Sequence, residues 1–287
     1  IPNGFVIPVD VFKQFLKSSK DSESFKILTQ SSEDLESLLS SAEIFREAML
    51  RSEIPFTIAQ AIKAGFQQLT TQLQGKIFCY AVRSSASIED TAQLTFAGQA
   101  DTFLCVPDQS SVLEAVKKTW LSLYSPRALL YLQEKGIPIE HVHMGVIVQE
   151  MILGDISGVM FTSNIVTNDP AQLLVDATWG LGESIVSGKV TPDSFILQKE
   201  PLKIIKRRKG DKALYSAPYP ADKPKCTHYL ETPPAKRNKL TLNDSQLLEL
   251  ARLGLEIEEK MNHPQDIEWT YKDGRFVILQ TRPITTF

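Results

Sequence analysis

The stretch from Gln265 to Pro283 constrains the fold more than any other part of the chain, because two alternating runs flank a turn signature there. Alternation of apolar and polar residues is typical of a half-buried β-strand. The Lys-Asp-Gly segment at 272–274 is typical of a hairpin turn. The chain is therefore predicted to carry a β-hairpin at this end.

The register of this hairpin decides which polar side chains share a face. In a two-residue Asp-Gly turn, Glu268 lies opposite Leu279. Glu268 and Gln280 then point to opposite faces, because successive side chains on a strand alternate.

A three-residue loop gives a different arrangement. Gly274 then adopts the left-handed conformation and Tyr271 pairs with Arg275. The polar side chains that share one face in this register are Glu268, Gln280 and Arg282. Two oxygen ligands and a guanidinium suit Mg²⁺ and the phosphates of a nucleotide. An amphipathic surface hairpin with scattered polar residues is the alternative, and the hairpin alone leaves both open.

Composition excludes several classes of protein. The chain has 287 residues and a formal net charge of -3, so neither a nucleic-acid nor an anionic-membrane surface is indicated. The three cysteines lie far apart, which favours a reducing, cytoplasmic setting over a disulfide framework or a zinc site. The four histidines share no metal-binding spacing. The abrupt start at Ile1, without an initiator Met, is typical of a fragment.

Strands separated by helices of unequal length predict an α+β fold with two lobes. The apolar run Met144–Met151 is a predicted strand, and Gly154 after it is a predicted hinge. The lobes are therefore placed at 1–153 and 154–287. A long helix is predicted to follow a cap at Thr241. No Gly-x-Gly-x-x-Gly follows any strand, which argues against a dinucleotide fold.

Two loop regions stand out by composition. A β-type run leads into a stretch rich in serine, threonine and acidic residues between Arg83 and Gly98, where backbone N–H groups and hydroxyls can face phosphates. It lacks the Gly-Lys-Ser/Thr ending of a P-loop, so an ordinary surface loop remains the alternative. Tyr215 to Pro234 is rich in proline and charge, and predicts an exposed excursion.

Six stretches together resemble one family. They are Tyr80–Asp90, Phe96–Gln99, Trp179–Glu183, Pro192–Phe195, Asp266–Trp269 and Gln280–Pro283. In their order along the chain, they resemble the nucleotide-binding domain of phosphoenolpyruvate synthase, pyruvate phosphate dikinase and rifampicin phosphotransferase. The resemblance covers essentially the whole chain and implies an ATP-grasp fold.

The resemblance implies a role for each matching residue. The implied phosphate-binding groups, also placed as catalytic, are Arg83 and Arg282, and the implied Mg²⁺ ligands are Glu268 and Gln280. The loop that closes over the phosphates is represented by Gly98 and Thr102, and the adenine-side residues by Gln149 and the backbone of Glu150 and Met151. Glu183 is expected either to cap a short helix or to reach the ligand, and we group it with the cofactor-binding residues. This assignment agrees with the three-residue loop.

The family resemblance also implies an activity. ATP gives its β-phosphate to a histidine on a swivelling domain, and the phosphoryl group passes to an acceptor on a further domain, with release of AMP and phosphate. Pyruvate and a rifamycin-type antibiotic are the implied acceptors, and the Gly-Glu-Ser-Ile-Val-Ser-Gly run is slightly closer to the rifampicin type. The family's Gly-Gly-Lys-Gly loop precedes the turn at Pro2, where this chain begins, so we expect weakened ATP binding. A non-catalytic nucleotide-binding module and a structural domain without a ligand are the alternatives.

Overall fold

The computed structural model describes residues 1–18, 22–30, 35–74, 79–88, 96, 98–218 and 227–284. The chain divides into two compact units. The N-terminal unit is Asn3–Met151, and the C-terminal unit is Ile152–Phe287 together with Ile1–Pro2. Helices and antiparallel sheets share the chain, which confirms the predicted α+β class.

The N-terminal unit combines a small sheet with a group of helices. Its strands are β1 (Gly4–Ile7), β2 (Tyr80–Ala86), β3 (Phe103–Val106) and β4 (Met144–Glu150). Its helices are α1 (Val9–Ser18), α2 (Ser22–Gln30), α3 (Leu35–Arg51), α4 (Phe56–Gln72), α5 (Gln109–Ser122) and α6 (Pro126–Glu134). The strands form an antiparallel sheet in the order β1-β4-β2-β3.

The helices of this unit bury one face of the sheet. Val82 and Val148 on the sheet belong to the same buried cluster as Trp120 of α5. The ring of Phe15 stacks on Trp120 with 5.0 Å between ring centroids. Side chains alternate along a strand, so the neighbours of Val82 on β2 and of Val148 on β4 point to the other face of the sheet.

The C-terminal unit is built on a longer antiparallel sheet. Its strands are β5 (Ile156–Phe161), β6 (Gln172–Trp179), β7 (Asp193–Gln198), β8 (Lys203–Arg208), β9 (Leu214–Pro218), β10 (Thr227–Glu231), β11 (Gln265–Lys272) and β12 (Arg275–Pro283). Its helices are α7 (Glu183–Val186), α8 (Pro234–Arg237) and α9 (Asp244–Met261). Six strands pair in the order β12-β11-β5-β6-β7-β8.

Helix α9 packs on one face of this sheet. Gly254 allows the close approach, because a Cβ at that position would lie 2.4 Å from the terminal methyl of Met160. The predicted cap at Thr241 is wrong. Asn243 caps α9 through a capping box with Gln246, because the Asn243 side chain accepts from the Gln246 amide at 2.9 Å.

Thr241 instead belongs to a buried polar network. Its amide and hydroxyl donate to the Asp193 carboxylate at 2.7 and 3.0 Å, and the Gly210 amide donates to the same carboxylate at 2.8 Å. The ammonium group of Lys212 pairs with Asp193, and neither side chain is exposed to solvent. The network ties β7 to the segment before β9 and to the approach to α9.

The predicted exposed excursion is wrong in part. Strands β9 and β10 pair in an antiparallel ribbon, and Ser216 within it is fully buried. The connecting residues 219–226 lie outside the described part of the chain. None of the described helices is long and apolar enough to cross a membrane.

Candidate functional site

The hairpin of β11 and β12 closes with a two-residue turn. Lys272 pairs with Arg275, and both Asp273 (φ 50°) and Gly274 (φ 79°) adopt positive φ. Asp and Gly tolerate this conformation, and its twist matches that of the flanking strands. The predicted three-residue loop is therefore wrong.

A bulge in β12 nevertheless brings the predicted side chains together. Trp269 pairs with Ile278, whereas the preceding residue, Glu268, pairs with Gln280. Leu279 is thus an extra residue on one strand, and it shifts the register by one. A one-residue shift moves every following side chain to the other face, so Gln280 lies beside Glu268 instead of facing α9.

The same shift aligns a second pair. Asp266 lies opposite Arg282, two residues from the first pair on each strand, so both pairs share a face. The opposite face carries Ile267 and Trp269, which are fully buried in the hydrophobic core. We call the surface made by Asp266, Glu268, Gln280 and Arg282 the hairpin polar face. Sequence reasoning did not assign Asp266, although its spacing of two from Glu268 is the signal for it.

The hairpin polar face continues onto the neighbouring strands. Glu268 pairs with Val159 of β5, and Val159 pairs with Asp176 of β6. Desolvation by burial raises the pKa of the Asp176 carboxyl above 3.8, while Ser194 and the charge of Arg208 partly offset that shift. Sequence reasoning did not assign Asp176. Its place directly after the apolar run Leu173–Val175 is the feature of the sequence that could have indicated it.

In the N-terminal unit, the structure places Arg83 and Gln149 on one face of the small sheet. Arg83 pairs with Ile147, and Ala81 pairs with Gln149, so alternation puts both polar side chains on the face away from the helices. Gln149 is 7% exposed. Gly4 pairs with Gln149 at close range, because a Cβ on Gly4 would lie 2.6 Å from the carbonyl of Val148.

The amides of Glu150 and Met151 make hydrogen bonds inside this unit. The Glu150 amide donates to the carbonyl of Asn3 at 2.9 Å, and the Met151 amide donates to that of Cys79 at 3.1 Å. Their carbonyl oxygens are therefore better suited than their amides to form hydrogen bonds with the edge of a base.

Gly98 and Thr102 flank a short turn that leads into β3. Gly98 has a φ of 72°, and nothing lies within 4 Å of the position of a Cβ there. The Asp101 amide donates to the Ser122 hydroxyl at 3.0 Å, which anchors the turn on α5. Most of the predicted polar loop before it, residues 89–95 and 97, lies outside the described residues.

Glu183 opens α7, and its carboxylate faces the ribbon of β9 and β10. It accepts hydrogen bonds from Thr227 at 2.7 Å and from Ser216 at 3.3 Å. A cavity of about 260 Å³ lies nearby and includes Trp179, Tyr215 and Lys236 in its lining. The helix itself is capped by Gly182 without a side-chain hydrogen bond.

Protein ligands for a metal are few in the described ranges. No group of three or more His, Cys, Asp or Glu residues in them is arranged to hold an ion. A carboxylate and an amide, Glu268 and Gln280, remain a chemically suitable pair for Mg²⁺, which keeps several waters and substrate oxygens when bound.

Comparison with known proteins assigns the chain to a family. Residues 1–287 match the family described as pyruvate phosphate dikinase, AMP/ATP-binding domain, and the chain belongs to that family. Its members carry an ATP-grasp-type domain, as the resemblance implied.

Similar proteins are named as phosphoenolpyruvate synthases or rifampicin phosphotransferases. A probable phosphoenolpyruvate synthase of Archaeoglobus fulgidus is 38% identical over 288 residues, which cover 100% of this chain and 38% of the relative. That of Methanocaldococcus jannaschii is 33% identical over 288 residues, covering 100% of this chain and 24% of the relative. A rifampicin phosphotransferase of Streptomyces is 36% identical over 296 residues, covering 100% of this chain and 32% of the relative. The chain therefore spans well under half the length of these relatives.

Proposed function

We propose that this chain is the ATP·Mg²⁺-binding catalytic domain of a phosphotransferase, with an N-terminal lobe at 1–153 and a C-terminal lobe at 154–287. ATP gives its β-phosphate to a histidine on a swivelling domain, and AMP and phosphate are released. The phosphoryl group then passes to an acceptor such as pyruvate or a rifamycin-type antibiotic on a further domain of the full-length protein, in the cytoplasm. The observation that carries this proposal is the hairpin polar face, where a carboxylate, an amide and a guanidinium lie side by side.

Each member of that face has a role suited to its charge. Glu268 and Gln280 hold Mg²⁺, which neutralises phosphate charge and orients the phosphates. Arg282, together with Arg83 of the N-terminal unit, binds the phosphate oxygens. A loose phosphoryl-transfer transition state gains chiefly from such fixed positive charge, so removal of either arginine costs several kcal/mol of transition-state stabilisation, on the order of oxyanion-hole losses.

The remaining residues serve the rest of the nucleotide. In this proposal, Gln149 and the backbone of Glu150 and Met151 contact the adenine. The turn formed by Gly98 and Thr102 covers the phosphates. Glu183, at the start of α7, reaches the ligand, although its carboxylate also accepts hydrogen bonds from Ser216 and Thr227.

Isothermal titration calorimetry with ATP and Mg²⁺ tests the proposal. We expect heat of binding for the wild type and at least a tenfold weaker dissociation constant for Glu268→Ala, because a charged metal ligand is lost. Glu249→Ala is the matched control, since Glu249 is an exposed residue of α9. An absence of binding heat in the wild type would favour a structural domain without a ligand.

Turnover separates the enzyme from a non-catalytic nucleotide-binding module. The assay uses the full-length protein and measures AMP release in the presence of pyruvate or a rifamycin. AMP release that depends on Glu268 supports the enzyme. ATP binding without AMP release with either acceptor supports the module.

A further inference from the structure

A second carboxylate extends the row of polar residues that starts at the hairpin. The register places one residue from each strand in line across the sheet: Gln280, Glu268, Val159, Asp176, Ser194 and Arg208. All of them lie on the face opposite α9, because the alternate positions on these strands, such as Phe195 and Ile267, are buried in the core. Asp176 therefore faces the same side as Glu268.

The carboxylate of Asp176 is short of hydrogen-bond donors. Its Oδ1 atom is buried and has no hydrogen-bond partner among the residues that the structure describes. Ser194 and Arg208 are near enough to favour its charged form, but desolvation outweighs them. An ionised carboxylate can only accept hydrogen bonds, so Oδ1 can accept one from a bound ligand or from water. A buried acceptor left without one destabilises the fold, which marks such a group as a candidate for ligand binding.

The position of Asp176 narrows the choice of donor. A metal held by Glu268 and Gln280 lies over β11 and β12, whereas Asp176 is on β6, about 10 Å from Glu268 at twice the spacing of neighbouring strands. A metal centred between Glu268 and Gln280 is separated from Asp176 by β5. Phosphate oxygens repel a carboxylate, so the group that reaches it belongs to the nucleoside end of the ligand. The donors there are the ribose hydroxyls and the adenine amino group. The proposed function already assigns the adenine to Gln149, Glu150 and Met151, which leaves the ribose hydroxyls.

Resting on the proposed function, we propose that Asp176 accepts a hydrogen bond from a ribose hydroxyl of the bound nucleotide and so selects ribonucleotides over deoxyribonucleotides. Asp176 is then a specificity residue of the nucleotide site, and Ser194 and Arg208 favour the charged form of its carboxylate. The carboxylate takes no part in the phosphoryl transfer itself.

The experiment compares ATP, 2′-deoxyATP and 3′-deoxyATP by calorimetry on the wild type and on Asp176→Asn. We expect at least one deoxy analogue to bind the wild type about tenfold more weakly than ATP, as for loss of a hydrogen bond to a charged group. We expect Asp176→Asn to weaken ATP by a similar factor and to leave that analogue unchanged. Asp273→Asn, the same substitution at an exposed turn residue, is the control and leaves all three ligands unaffected.

Each other outcome has a definite meaning. Equal weakening of ATP and both deoxy analogues by Asp176→Asn overturns the ribose contact. An Asp176 effect on ATP that vanishes when EDTA removes the metal also overturns it, because the carboxylate then acts through a metal-bound water. If the wild type binds none of the nucleotides, the proposed function itself fails. Sensitivity to Glu268→Ala without sensitivity to Asp176→Asn defeats this inference alone.

Discussion

Arg282 lies opposite Asp266 on the hairpin polar face, and its proposed partner is a phosphate group beyond the α-phosphate. We expect Arg282→Gln to weaken ATP binding by about tenfold to a hundredfold, the scale of a lost charge-assisted hydrogen bond. AMP lacks the outer phosphates, so we expect its affinity to change much less. Calorimetry with both ligands measures the difference.

An equal loss for ATP and AMP would contradict this role for Arg282 and point to general disruption of the hairpin. Arg275→Gln is the matched control. It makes the same change on β12 at an exposed position beside the turn, and both nucleotides should bind it as they bind the wild type.

Asp176 gives a stability prediction at the same scale. Because burial raises its pKa in the folded state, the protonated form favours folding, and stability falls as pH rises from 3.8 through the raised folded pKa. Asp176→Asn removes this titration. We expect the variant to be more stable than the wild type at pH 7, with the gap closing as the pH falls towards 3.8.

Urea unfolding at several pH values measures the effect. A constant difference between Asp176→Asn and the wild type across this range would show that the substitution acts through packing. A stabilised variant with impaired nucleotide binding would identify Asp176 as a group retained for function at a cost in stability.

At the scale of the element, the closing hairpin shows what the sequence can and cannot reveal. The strands and the Asp-Gly turn are evident from alternation and turn chemistry. The bulge at Leu279 is not, because no glycine or proline marks it, and Leu279 simply ends an unbroken apolar run that starts at Phe276. The convergence of Glu268 and Gln280 was anticipated with the wrong loop length, since an added residue in the loop or in the strand shifts the register alike.

The bulge itself can be tested by deletion. We expect removal of Leu279 to abolish detectable ATP·Mg²⁺ binding, because a regular ladder turns Gln280 and Arg282 towards the α9 side of the sheet. Leu279→Ala keeps the residue count and is the control, with affinity close to that of the wild type. Binding by the deletion variant as strong as by Leu279→Ala would show that the bulge does not orient these side chains.

At the scale of the whole molecule, helix and strand patterns predict the α+β class, and the order of the motifs predicts the family. Long-range polar contacts escape such reasoning. Asp193 was noted only within a matching motif, yet it is fully buried, pairs with Lys212 and accepts a hydrogen bond from Thr241, which lies 48 residues further along the chain. Nothing local distinguishes a lysine that pairs inside the core from one at the surface, because the partner is set by the tertiary fold.

The Asp193–Lys212 pair yields a prediction for one unit of the molecule. We expect Lys212→Met to reduce the free energy of unfolding of the C-terminal unit by about 3–5 kcal/mol, because Asp193 is left as an uncompensated buried charge. Hydrogen exchange should then accelerate in β5 to β8 and stay unchanged in β1 to β4, which belong to a separate core.

Lys199→Met is the matched control for this substitution. Lys199 pairs with Glu258 at 2.7 Å, but both side chains are partly exposed, at 17% and 19%. We expect that variant to lose about 1 kcal/mol or less. Equal effects of the two substitutions would show that burial of the Asp193–Lys212 pair contributes no special stability.

The extra residue in β12, Leu279, makes the hairpin polar face sensitive to the length of this strand. Adding or removing one amino acid between the turn and Gln280 turns Gln280 and Arg282 towards the other face of the sheet. A change of two keeps their face but slides them two positions along β11, so Gln280 no longer lies opposite Glu268. Grafts and alignments of this segment therefore need the number of residues between the turn and Gln280 to stay the same.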